Sequence, residues 1–337
     1  MSDHCVALGL WLLQAPSNCQ MIEVDAAARF RQDLPMAGIH RAFDIPRARI
    51  GLGLSNEKTH VRAIWGSIRS AGDTSYIGID GESFVPQLQL MELAWQEGWV
   101  SLRAGLIDDL WVVPQNNRWI LRSITADMNE RLGIMGRSDL GGMVSLSLPS
   151  DRWNIQIQLR SGEGHRLRER NPGQNVVLRS EVKPLSNLDW LSIAVFTQEG
   201  SRGFGLAREH RLGAQIYSQV SAVRFGVEGL KSWGVQGDSY REPFVISGWG
   251  QFLPESGFQA FLKTDVHREF EHSQQQTFQT GVGYRPEGDL RIWLGFEHNR
   301  IPSGAGLVPG ASALGKQQQI YIQLDGQFRH KQFSSST

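Results

Sequence analysis

The chain has 337 residues, with 34 Lys and Arg against 34 Asp and Glu and no net charge. That balance excludes a general electrostatic grip on nucleic acid or on an anionic membrane surface. No apolar run approaches the roughly 18 residues that a transmembrane helix needs, and mean hydropathy is −0.29. The cations divide into 28 Arg and 6 Lys, a skew that overall neutrality hides.

In chain order, the first nineteen residues stand apart. Val6-Ala-Leu-Gly-Leu-Trp-Leu-Leu13 is an apolar run followed by Gln14-Ala-Pro-Ser17. The pair reads as a signal-peptide remnant or a disordered N terminus over residues 1–19. Both cysteines, Cys5 and Cys19, lie in this segment, so the rest of the chain has no disulfide frame and no thiolate metal site. Residues 20–333 read as one domain, and Ser334–Thr337 as a frayed tail.

From residue 20 onward the hydrophobic pattern has period two, which argues strands. In Trp153-Asn-Ile-Gln-Ile-Gln-Leu-Arg160, Trp153, Ile155, Ile157 and Leu159 share one face, and Asn154, Gln156, Gln158 and Arg160 the other. The same holds for Val223, Phe225 and Val227, for Leu290, Ile292, Leu294 and Phe296, and for Ile320, Ile322 and Leu324. Sixteen such segments fall near 20–32, 41–54, 59–69, 87–96, 99–107, 140–149, 152–161, 174–184, 188–198, 208–218, 221–231, 242–252, 257–267, 274–285, 289–298 and 318–331. They are longer than the usual five or six residues of a soluble strand and match the roughly 9–11 tilted residues that cross a bilayer.

Connections alternate between short and long along the chain. Ser55-Asn-Glu-Lys58, Glu97-Gly98, Ser150-Asp151, Pro254-Glu-Ser-Gly257 and Pro286-Glu-Gly-Asp289 are short, whereas the third long connection, 108–139, is the longest. Even strand number, tight turns at one end and long loops at the other predict an all-β fold: a single 16-stranded antiparallel transmembrane β-barrel with short periplasmic turns and long extracellular loops. Trp65, Trp95, Trp99, Trp153 and Trp190 lie near strand ends, where aromatic girdles meet headgroups.

Four segments carry a family likeness: Val100-Ser-Leu-Arg-Ala-Gly-Leu-Ile107, Ser138-Asp-Leu-Gly-Gly142, Arg160-Ser-Gly-Glu-Gly164 and Leu178-Arg-Ser-Glu-Val-Lys-Pro184. On these, and on sixteen strands with a long third loop, the chain resembles the bacterial outer-membrane porin superfamily, and in particular the phosphate-selective porin O/P-like group. The resemblance implies an outer-membrane diffusion channel, often a homotrimer, with the third loop folded into the barrel as a constriction. Members that select anions often line the pore with lysines. This chain departs there, because only Lys183 and Lys263 fall mid-strand on polar faces.

The polar faces place Arg47, Arg49, Arg62, Arg103, Arg160, Arg179, Arg211, Arg224 and Arg291 towards the lumen, with Glu92, Glu181, Glu228, Asp265 and Asp325 among the acids. Arg presents a fixed fork that pairs with carboxylates and phosphates. Two readings stay open for these residues: a solvated wall of salt bridges, or a lining that selects ions. The third loop holds Asp108, Asp109, Arg118, Arg122, Asp127, Glu130, Arg131, Arg137 and Asp139 together with Trp111 and Trp119. Inside the lumen, its opposed acids and arginines would set a transverse field at the narrowest point.

No nucleotide fingerprint, nucleophile elbow or His spacing fit for a metal is present. The chain therefore reads as a channel and not an enzyme, without cofactor or metal, passing small polar or anionic solutes through outer-membrane lipid. The alternative is a barrel that anchors periplasmic partners of an envelope complex for export or motility.

Overall fold

The computed structural model describes residues 19–34, 41–71, 82–148, 152–162, 173–184, 190–202, 207–235, 237–269, 274–286, 289–301 and 315–333. Residues 1–18, read above as a signal remnant, and the tail 334–337 lie outside these. Sixteen strands form in chain order. The first eight are β1 (Cys19–Leu34), β2 (Arg41–Ser55), β3 (Thr59–Ala71), β4 (Glu82–Glu97), β5 (Val100–Asp108), β6 (Ser138–Ser147), β7 (Trp153–Arg160) and β8 (Asn175–Val182). The second eight are β9 (Leu191–Arg202), β10 (Ala207–Val220), β11 (Val223–Trp233), β12 (Phe244–Phe252), β13 (Gly257–Arg268), β14 (Gln274–Arg285), β15 (Leu290–Ile301) and β16 (Gly315–Phe333). Each expected segment has its strand. The first opens at Cys19, one residue before the boundary expected from the pattern.

Every strand is antiparallel to its sequence neighbours, and β1 closes on β16 from Cys19↔Phe333 to Leu34↔Gln318. Closure leaves no edge, which is what a sheet needs where no water can satisfy free N–H and C=O groups.

The outside of the barrel is apolar and the inside polar, the reverse of a soluble protein. Along β16, Ile320, Ile322 and Leu324 are 43%, 52% and 47% exposed, while Tyr321, Gln323 and Asp325 between them are buried at 2%, 0% and 6%. The alternation breaks between β3 and β4, where the register shifts at Ile64/Trp65. Gln89 and Leu90 are consequently both buried, and Trp65 stays on the outer surface. Trp99, Trp153 and Trp190 are exposed beside the short turns, and Phe252, Phe258 and Tyr284 continue that outward aromatic belt along the same rim. The belt fits the headgroup level, where an apolar ring with a polar edge is stable.

Some inward positions carry large rings instead of polar groups, and the neighbouring strand makes room for them with glycine. A Cβ on Gly283 of β14 would meet the Trp293 ring of β15 at 2.5 Å, and one on Gly295 of β15 would meet the Tyr321 ring of β16 at 2.2 Å. The rings therefore lie close against the wall rather than standing out into the lumen.

A charge on the outer face has no partner in lipid. Ile322→Lys should destabilise the barrel by about 2–4 kcal/mol if it sits at the bilayer midplane, read as a lower urea midpoint for the protein folded in vesicles.

Candidate functional site: a loop that crosses the lumen

The third long loop joins β5 to β6 and carries two short helices, α1 (Val112–Arg118) and α2 (Met128–Arg131), where the sequence pattern suggested only a loop. Its base is tied by Asp109. One oxygen of Asp109 accepts from the amides of Trp111 and Val112 at 2.8 Å each, and the other accepts from Arg160 of β7. The Asp109 amide donates to Arg137 O at 2.8 Å, joining the two ends of the loop. Arg160 also donates to Gln198 of β9 and lies 3.9 Å from Asp139, so one buried fork clamps wall and loop together.

From that base the loop runs across the barrel. Trp111 packs edge-on against Phe196 of β9, with ring centroids 5.3 Å apart, in a cluster that also holds Val177, Leu230 and Val245 from the wall. Gln115 donates to Glu228 of β11. Arg118 lies over the Tyr217 ring of β10, 3.8 Å from its centroid, and bonds back to Glu181 of β8. Trp119 then packs 5.8 Å from both Trp249 of β12 and Phe261 of β13, in a second cluster with Trp293 and Tyr321. At the far side, Arg29 of β1 donates to Ser123 O and Ile124 O at 2.8 and 2.5 Å, and Lys263 of β13 donates to Ala126 O at 3.2 Å.

The return leg is held as firmly. Asp127 caps α2, accepting from the amides of Asn129 and Glu130, and burial raises its carboxyl above the ordinary aspartate range. Arg131 pairs with Asp265 of β13 at 2.6 Å, Arg122 with Glu130, and Ile134 O accepts from Arg211 of β10 at 2.9 Å. The loop thus touches the wall from β7 round to β1 and lies inside the barrel.

The inward arginines expected from strand parity are largely paired. Arg49 meets Asp25 at 3.0 Å, Arg62 meets Glu23 at 2.9 Å and Arg179 meets Glu181 at 2.6 Å, with Arg103 3.8 Å from Glu92. Glu181 is shared by Arg118 and Arg179. Glu228 accepts from Gln115 and from Gln215 rather than from an arginine. Arg224 and Arg291 are half-buried near the short turns, and Arg291 is within electrostatic reach of Asp325 and Asp289. Arg47 sits opposite Ala27 in the β1–β2 register, its side chain lying outside what is described.

Two expectations need correction. Asp108 ends β5 and Asp109 is the loop anchor, so neither opposes an arginine across open water. Of the loop's other charges, Arg118 and Arg131 reach wall carboxylates and Arg122 reaches Glu130 of the loop itself; they are used in fastening. Lys183 lies just beyond β8 rather than within it, while Lys263 is inward and buried beneath Trp119. Sequence reasoning missed the inward aromatic patch of Tyr217, Trp249, Phe261 and Tyr321. Their place on otherwise polar faces was the available signal.

One arginine cluster is matched only in part, with Arg49 on Asp25 and Arg122 on Glu130, each through Nη2. Burial, together with the guanidinium groups of Arg122 and Arg49, pushes Arg137 down to about 9, still charged at neutral pH. Nη1 of Arg137, Nε of Arg122, and Nε and Nη1 of Arg49 are buried and have no hydrogen-bond acceptor among the described residues.

No family model and no curated protein matches the chain. Solved structures do. OmpF of Salmonella typhi, in complex with daunomycin, matches at TM-score 0.67 and 10% identity, over 92% of this chain and 97% of its own. An anion-selective porin from Comamonas acidovorans matches at 0.62 and 10%, over 93% and 100%. OmpT, an outer membrane protein of Vibrio cholerae in a trimer form, matches at 0.58 and 9%, over 92% and 99%. The chain has the fold of the bacterial outer-membrane porins. With its lipid-facing exterior, this porin fold is that of an integral outer-membrane barrel.

Trp119→Ala should release the loop from the aromatic wall. Deleting a buried Trp costs about 3–5 kcal/mol, and it should fall on the loop's local stability while the barrel persists. Added protease should then cut within 119–131 in the variant and not in the parent, with the barrel fragments staying associated in detergent.

Proposed function

We propose that the chain is a porin whose water-filled lumen passes small polar solutes, with mild preference for anions, and that the third loop is its constriction. The observation that carries this reading is the convergence of Arg49 from the wall with Arg122 and Arg137 from the two legs of the loop. Each fork is only partly used: Arg49 pairs with Asp25 through Nη2 alone, and Arg122 with Glu130 through Nη2 alone. Those N–H atoms are buried, so the three guanidinium groups would act on a passing anion through their positive field rather than by direct contact. Arg62 and Arg103, partly exposed on the same stretch of wall, extend the positive lining.

On this reading the protein is a diffusion channel without catalytic chemistry and without cofactor. It works in outer-membrane lipid as a homotrimer, the form in which the similar OmpT is described. The match to an anion-selective porin favours the same sign of selectivity. A second reading, a barrel that anchors periplasmic partners, is favoured by the two apolar clusters that fasten the loop across the lumen.

Reversal potentials in a salt gradient across planar bilayers test both. The expected sign is that of chloride preference. One charge about 8 Å from the ion path in water shifts chloride and potassium by about 0.5 kcal/mol each in opposite senses, so Arg137→Ala should lower the chloride-to-potassium ratio by up to about six-fold. A folded trimer that conducts nothing and co-purifies with stoichiometric periplasmic protein would support the anchor instead.

A further inference from the structure

A cavity of about 360 Å³ lies under the start of the third loop, between α1 and strands β5 to β8, on the short-turn side. Its volume is at the small end of the range for pockets that hold one organic molecule. One side is aliphatic: Ile107, Leu110, Val113, Pro114 and Met143. The other side is ionic, with Arg103, Arg118 and Arg179 balanced by Asp108, Asp109 and Glu181.

The hydrogen bonding of this lining is incomplete in a specific way. Among the described residues, Nε of Arg103, Nη1 of Arg118 and Nε of Arg179 are buried without an acceptor, and Oδ1 of Asp108 is buried without a donor. Such groups are costly to leave unmet, and the Arg103 and Arg118 side chains, 35% and 27% exposed, open the rest of their guanidinium groups to the cavity. Asp109 is spent on Arg160 and the amides of Trp111 and Val112, and Glu181 on Arg118 and Arg179. What remains free is a set of guanidinium donors for one negative group, one carboxylate oxygen for a donor, and an aliphatic floor. Because the fixed charges of the lining cancel, a molecule with net charge would unbalance the site, whereas one carrying both signs would not.

We infer that this cavity is a holding site for a zwitterionic α-amino acid with an aliphatic side chain. The carboxylate meets Arg103 and Arg118, the ammonium meets Asp108, and the side chain lies on Val113, Pro114 and Met143. The inference rests on the channel reading for access, since the cavity is approached from the lumen, but its chemistry is separate from the Arg49, Arg122 and Arg137 group.

The test is calorimetric titration of the folded barrel in detergent with L-leucine, alongside single-channel recording. Glycine, 4-methylpentanoate and 3-methylbutylamine each lack one of the three features. Leucine should bind saturably and at least about ten-fold more tightly than any of them, as the loss of one charge-assisted hydrogen bond or of the apolar contact requires. It should also interrupt the current transiently. Arg118→Gln and Asp108→Asn should each weaken leucine about ten-fold, with an unchanged β-sheet circular-dichroism spectrum showing that the barrel is still formed, and Lys58→Gln on an exposed turn should leave binding unchanged. Absence of saturable heat, or equal affinity for leucine and glycine or for leucine and 4-methylpentanoate, would overturn the site. A barrel that binds leucine but passes no current keeps the site and sinks the channel reading.

Discussion

Backbone pairing in a medium without water governs this structure. Hydrocarbon offers no partner to an amide, so the first strand must find the last, and the β1–β16 register does this over the full length of β1. Once the sheet is closed, each strand has one face in lipid and one in the lumen. The period-two pattern follows as a consequence, with Ile320, Ile322 and Leu324 outside and Tyr321, Gln323 and Asp325 inside. A polar mean hydropathy and a membrane-spanning fold are therefore compatible, because only alternate residues have to be greasy.

The lumen created by closure is too wide for wall side chains to fill, and the third loop occupies it by two different means. Its helix α1 and Trp119 bury apolar surface against inward Phe196, Leu230, Trp249 and Phe261, forming dry contacts inside a wet tube. Between these, arginines bind two partners at once. Arg160 holds Asp109 and Gln198, and Arg29 holds Gln323 of the wall through Nε and two loop carbonyl oxygens through Nη2. A lysine has no planar fork with which to do this. The excess of 28 Arg over 6 Lys has, in this part of the molecule, a mechanical explanation as well as an electrostatic one.

Strand number, strand positions, the inward and outward faces and the long third loop were all legible in the sequence. Each is imposed by periodicity and by lipid, which act on every strand alike. The pairing of Arg49 and Arg62 was half legible: parity turned the arginines inward, but Asp25 and Glu23 reach them across strands that a linear pattern does not align. The loop's route was not legible. It depends on Trp119 meeting Trp249 and Phe261, residues more than a hundred positions away that sit on faces the pattern marks as polar. Helices α1 and α2 are too short for a period to show, and they are held by Asp109 and Asp127 at their starts and by packing along their lengths.

The glycines beneath the inward rings limit how the lumen wall can vary. Trp293 is seated over Gly283 and Tyr321 over Gly295, each ring occupying the volume that a methyl group on the next strand would take. Neither member of such a pair is free to drift alone: a larger residue in place of the glycine lifts the ring into the loop, and a smaller residue in place of the ring opens a hole beneath it. Among relatives of this chain, these positions should change together or not at all, so that paired variation across adjacent strands would mark the seats even where overall identity has faded to the level seen with the solved porins.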